Sequence, residues 1–202
     1  MSGRIRTEEA RGDERRMRTR QALLEALIGA VRHGRYDRLE VSDLIAEAGV
    51  GRSTFYDHFR GKDDMIVQTM GHMLDALASV VDETRAARAA GEAHPVQGAQ
   101  GAVRAVLAHF GENEPFARHM LVSAECAPLV GRITRELAAR IEQRLAGRAR
   151  RPAAPVALIA AQLAESQIAF VRAWLALGRP CGEDELARAM CLSAEGSLAA
   201  LA

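Results

Sequence analysis

Lysine is nearly absent from this chain: Lys62 is its only one, so 26 of its 27 basic side chains are arginine. Acidic residues number 26, which leaves a net charge of +1 and excludes a general polyanion binder. Any contact with nucleic acid must therefore be local. Only three cysteines occur, Cys126, Cys181 and Cys191, with no metal-ligand spacing and no obvious pairing, so a reduced cytoplasmic compartment is the default expectation. The six histidines form no HExxH or His/Cys cluster, so no metal site is expected. There is no glycine-rich phosphate loop, no GxSxG and no paired carboxylates in a pocket-like context. Nothing points to catalysis, and no cofactor is implied. No apolar run reads as a membrane span, and the charged N-terminus does not read as a secretory signal.

What remains is a chain that is 49% hydrophobic, rich in alanine and leucine rather than the β-branched residues strands prefer. Helical signals follow one another with short breaks, and no segment reads as a strand. Nine helices are expected. The first spans Asp13 to His33 with Leu24, Leu27, Ile28 and Val31 inward and Gly34 as its stop. Tyr36, Leu39 and Val41 tie the linker that follows to the head. Further on come a long helix from Lys62 to about Ala87, a loop over Ala89 to Pro95, and helices over Val96–Phe110 and Glu114–Ala124. Pro128 opens a helix to about Gly147, and the Arg- and Pro-rich stretch to Pro155 is a charged loop. Helices over Pro155–Leu177 and Glu183–Leu201 close the chain. On the long helix Ile66, Met70, Met73, Leu74, Leu77 and Val81 form one stripe.

Residues 41–62, VSDLIAEAGVGRSTFYDHFRGK, hold the most informative pattern. Ser42 is the expected cap of a short helix whose Leu44, Ile45 and Ala48 share a face, and Gly49 can take the left-handed conformation that ends it. Val50 plugs the corner. A second short helix follows from Arg52 to His58, with Phe55 and Phe59 as the buried pair. Ser53, Thr54 and Asp57 lie opposite them, and Tyr56 and His58 project to the flanks. Small polar residues facing base edges, with longer donors at each side for the phosphate walls, is what a helix in the DNA major groove requires.

The alanine-glycine turn, the Arg-Ser-Thr-Phe-Tyr run, the following His-Phe and the Lys opening the next helix resemble the DNA-binding signature of the tetracycline-repressor (TetR/AcrR-like) family of bacterial transcription regulators. The resemblance implies an all-α fold with a three-helix helix-turn-helix head and a larger helical effector-binding and dimerisation domain. The division expected is residues 1–12 as a flexible arm, 13–61 as the head and 62–202 as the larger domain. DNA contacts are implied for Ser42, Arg52, Ser53, Thr54, Tyr56, His58 and Lys62. Asp57 aims a negative charge at the groove, either to accept from a cytosine N4 or to act against wrong sequences. Gly51 stands where the family often has a capping Ser or Thr, and supplies no hydroxyl. The first twenty residues carry seven arginines against four acids. They read either as a solvated tail or as an arm on phosphate or minor groove.

The family also implies a homodimer on a palindromic operator, released by a small-molecule effector. The helix over Pro155–Leu177 is apolar nearly all round, with Ala157, Ala161 and Ala164 as small residues for close helix approach, and the last two helices read as half of a four-helix interface. Trp174 is expected at or beside that interface. Phe110, Phe116, His119, Met120, Gln162, Ser166 and Phe170 are the candidate effector lining. Two other readings stay open: a redox sensor triggered at Cys126 or Cys181, and a dimeric adaptor that has lost DNA affinity, with Gly51 and Asp57 as the suspect positions.

Overall fold

The computed structural model describes residues 2–32, 36, 38–90, 97–146 and 154–201. Among these it holds ten α-helices, one 3₁₀ turn and no strand. The chain divides into two compact units, Met1–Thr69 and Met70–Ala202, so the fourth helix belongs with the head rather than with the larger domain.

The first unit contains α1 (Ser2–Arg32), α2 (Val41–Ala48), α3 (Arg52–His58) and α4 (Lys62–Thr69). Residues 2–12, expected as an arm, are helical and continuous with the rest of α1. The inward stripe of α1 is also turned from the one expected. Leu23, Ala26, Leu27 and Ala30 are buried, whereas Leu24 and Val31 are half-buried and Ile28 is exposed. Gly34, the expected stop, lies outside the described residues. Tyr36 and Leu39 are buried against the same core as Leu44, Phe55, Phe59, Met65 and Ile66, and Val41 is half-buried. Fully burying a side chain of this size contributes about 1.5–3 kcal/mol, so the two phenylalanines dominate a core this small.

The second unit contains α5 (Gly71–Ala90), α6 (Gln97–Glu112), α7 (Glu114–Val122), the 3₁₀ turn Ala124–Cys126, α8 (Ala127–Leu145), α9 (Val156–Ala176) and α10 (Glu183–Leu201). The single helix expected over Lys62–Ala87 is in fact α4 and α5, broken at Met70, which accounts for the tenth helix. The Thr69 hydroxyl donates back to the Met65 carbonyl at 2.7 Å, a bond that bends helices, and Gly71 follows as a poor helix former. Ala89 and Ala90, expected in a loop, are the last residues of α5, and residues 91–95 lie outside the described set. The charged loop before Pro155 falls largely outside it too.

Helix α9 packs along α8 and also meets α7 and α10. It buries Leu163, Ala164, Ile168, Val171, Trp174 and Leu175. By length and composition alone α9 is apolar enough to cross a bilayer, which corrects the sequence expectation of no such run; 39% of its most apolar window is buried inside the protein. Charged staples run along the surface of this unit. Arg140 reaches Asp75 of α5 at 3.1 Å and Glu136 of its own helix, and Arg144 reaches Asp82 at 2.5 Å.

Candidate nucleic-acid interface

Helix α2 begins one residue before its expected cap. Glu40 is the N-cap, in extended conformation, and its backbone N–H donates to the Asp43 carboxylate at 2.8 Å while its own carboxylate takes the N–H of Asp43. This reciprocal box leaves Ser42 inside the first turn, exposed, with its hydroxyl donating to the Glu40 carboxylate at 3.3 Å. The helix ends as expected at Gly49, whose φ of 64° lets its N–H and that of Val50 turn back onto the last carbonyls. Only Val50 and Gly51 separate that glycine from α3.

Gly51 caps α3 through its extended backbone, with no side-chain bond. Phe55 and Phe59 are 0% and 1% exposed with ring centroids 6.0 Å apart, so the expected aromatic anchor is present. Phe59 itself stands just past the helix, in extended conformation, and its N–H closes the last turn onto Phe55. With Phe55 fixed inward, helical spacing turns Ser53 and Asp57 directly outward. Arg52 and Tyr56 line one edge, both exposed, and Tyr56 is held edge-on against Phe55 at 5.2 Å. Thr54 and His58 line the other edge and are half-buried, so Thr54 belongs to a flank rather than to the outward face.

Lys62 is less free than the sequence implied. Its ammonium donates to the Tyr36 carbonyl at 3.1 Å and lies 4.7 Å from the centre of the Tyr36 ring. The Tyr36 hydroxyl donates in turn to Asp63 at 2.9 Å, so this lysine fastens the linker to α4 whatever else it touches.

Arg16 and Arg20, which the sequence offered only among the seven arginines of a tail or arm, stand beside this surface. Arg20 of α1 places its guanidinium 4.9 Å over the Phe59 ring. Burial, together with the charges of Arg16 and Arg20, holds His58 below the ordinary histidine value, and Asp57 opposes them. His58 is thus mainly neutral near pH 7 in the free protein.

The sequence pattern described as "Bacterial regulatory proteins, tetR family" matches residues 30–69, which span the end of α1 through α4. The head of this chain, over those residues, is thus similar to the DNA-binding part of TetR-family regulators. The HTH-type transcriptional regulator YxbF of Bacillus subtilis is 35% identical over 66 residues, a stretch that covers 32% of this chain and 17% of YxbF. Two solved structures share the fold over nearly the whole length. A TetR transcriptional regulator from Streptococcus agalactiae superposes with a TM-score of 0.52 at 20% identity, covering 92% of this chain and 98% of that one. A TetR-family regulator from Syntrophomonas wolfei gives 0.51 at 20% identity, covering 94% and 96%. All three are described as regulators rather than enzymes.

The residues expected to serve the larger domain divide sharply. Phe110 and Met120 are buried, and Phe116, His119, Ser166 and Phe170 are half-buried. Gln162 is corrected: it faces outward on α9. The buried amide is Gln167, which sequence reading overlooked; it is 2% exposed and its N–H reaches the Met190 carbonyl at 3.4 Å, while its oxygen has no donor among the described residues. Ala157 and Ala161 are exposed, as an interface would need, but Ala164 and Trp174 are 0% and 2% exposed within one protomer. The Trp174 indole N–H donates to the Cys181 carbonyl at 2.9 Å, so the tryptophan is core and not interface.

Proposed function

We propose that this chain is a DNA-binding transcriptional regulator acting as a homodimer, released from a palindromic operator by a small-molecule effector. The observation that carries the proposal is α3: a Phe-anchored helix with Ser53 and Asp57 outward between two edges of donors. Ser53 meets base edges and Asp57 accepts from a cytosine N4, while Arg52, Tyr56, Thr54 and His58 hold phosphates on the two walls. Ser42 and Lys62 extend the same contact from the starts of α2 and α4. Such a regulator works in the cytoplasm, beside its DNA.

One short helix reads few bases, and a two-fold pair of heads reads two half-sites roughly 34–36 Å apart. The exposed face of α9 supports such pairing. Leu158 and Leu177 are 61% and 72% exposed there, among Ala161, Ala169, Ala173 and Ala176, and Leu192 of α10 is 44% exposed. The effector lies in the second unit, lined by Phe110, Phe116, His119, Met120, Ser166 and Phe170, with Gln167 replacing Gln162 as the buried amide. It acts by preferring the form that binds DNA badly, and linkage makes the effect mutual.

Selection from random duplexes with the purified protein tests the proposal. Recovery of an inverted repeat with that half-site spacing is the expected result. Recovery of unrelated sequences with no common element sinks the reading.

A thiol-triggered regulator is the second reading, carried by one contact. The Cys126 Sγ lies 3.6 Å from the His119 Nε2 at the start of α8, with the thiol 7% exposed. Under that reading peroxide abolishes operator binding, a thiol reductant restores it, and Cys126→Ser is indifferent to both.

A further inference from the structure

On α1 the buried positions Leu27 and Leu23 are followed, towards the N-terminus, by Arg20 and Arg16 at spacings of three and four residues. These four share one face of the helix. The stripe that fills the head's core therefore continues past it as arginine. It does so where α1 runs beside the end of α3: the Arg20 guanidinium covers the Phe59 ring at 4.9 Å, and Arg16 and Arg20 both act on His58. Arg18, by contrast, points away from this face and pairs with Glu14 at 3.6 Å.

We propose that α1 forms a second phosphate-binding edge of the head, in which Arg16 and Arg20 join His58 against the DNA backbone along one wall of the groove. This rests on the DNA-binding reading above and adds to it a contact from outside the helix-turn-helix. Contact with the Phe59 ring restrains the Arg20 guanidinium, so less side-chain freedom remains to be lost when it meets a phosphate. The cluster carries two fixed positive charges and a histidine, with Asp57 as the acidic group acting on that histidine from α3. Burial first, and then the charges of Arg16 and Arg20, hold the His58 pKa down in the free head, and a phosphodiester placed among the three relieves that repulsion. The edge also balances α3, whose other edge already holds Arg52 and Tyr56.

The test compares Arg16→Gln with Arg18→Gln, which removes the same charge from the opposite side of α1. Affinity is measured against salt for a selected operator duplex and for a random-sequence duplex. Arg16→Gln is expected to weaken both duplexes by the same roughly three- to tenfold factor and to make the log–log salt slope shallower by about 0.9. Arg18→Gln should stay near the parent. Arg20→Lys, which keeps charge without the planar stack, should fall between. Matching melting curves establish that the heads remain folded. The proposal is overturned if Arg16→Gln and Arg18→Gln are indistinguishable while the parent keeps a steep slope. A parent with no salt dependence at all overturns the DNA-binding reading, and this edge with it.

Discussion

The Arg179 guanidinium lies 5.0 Å over the Trp174 ring while its own backbone is held at a φ of 61°. The same side chain pairs with Glu183 and, at 3.6 Å, with Glu114, so it joins the start of α10 to the start of α7. It passes so close to Gly111 that a Cβ there would come within 2.9 Å of a guanidinium nitrogen. A residue in left-handed conformation is thus kept because its side chain makes three contacts.

Those opposing effects set an order of stability. Arg179→Ala and Arg179→Gly both lose the stack and the ion pairs, but only alanine keeps a Cβ in the left-handed region. The alanine variant is expected to be the less stable by about 1 kcal/mol in urea unfolding. Equal stabilities, or a more stable alanine variant, would show that the backbone carries no strain.

Acidity should act on the head in two opposite ways. His58 titrates below the ordinary value of 6.5 when folded, so unfolded chains take up its proton first. Its contribution to stability is present above pH 6.5 and is lost as pH falls through that value. Phosphate beside it raises the same pKa, so binding takes up a proton and operator affinity climbs as pH drops from neutrality towards 6. Affinity measured over that range should rise for the parent and stay flat for His58→Gln. A parent curve as flat as the variant's removes His58 from the backbone contact.

Neighbouring aromatic residues of α3 should behave quite differently on substitution. Phe55→Ala empties a fully buried site and costs about 3–5 kcal/mol, enough to unfold a head of this size. Tyr56→Phe removes one exposed hydroxyl; it should weaken binding to all sequences alike and leave melting unchanged. A Tyr56→Phe loss confined to one base position would make Tyr56 a base reader instead.

Ala169→Glu tests the exposed face of α9. The residue is exposed in one protomer, so folding should be unaffected while sedimentation shifts from dimer to monomer. Trp174 emission should be blue-shifted in both forms, since the indole is buried by its own chain. An unshifted sedimentation profile places the interface elsewhere.

Gln167→Leu removes a buried acceptor that has no donor among the described residues, at the expense of one long hydrogen bond. Melting temperature should hold or rise. A fall of many degrees would mean that the oxygen has a partner, and would mark Gln167 as a group that a bound molecule satisfies.

The head was legible because its signals are local. A glycine turn, two phenylalanines four residues apart and a run of short polar residues each fix geometry within one or two turns. Its errors were also local in origin. Glu40 took the cap from Ser42 because a glutamate followed by Asp43 three residues on can close the box from both sides. Helix α9 was harder for a different reason: alanine stands on all of its faces, so composition cannot separate an inner from an outer side. Ala161 is exposed and Ala164 buried, Gln162 exposed and Gln167 buried, and only the packing of α8 and α10 decides which. The arginines at 16 and 20 could not be told from the other five of the first twenty residues, because what sets them apart is α3, more than thirty residues further along the chain.

Lys62 gives the head a private reporter. As the sequence's single lysine it is the one side-chain amine that an acylating reagent can find, and it sits where the linker meets α4, half-buried, with one N–H already given to Tyr36. Its rate of acylation therefore measures how often that joint opens, without a label being introduced. Acylation would also remove the positive charge that lies 4.7 Å from the Tyr36 ring, so the reagent that reports the joint also loosens it.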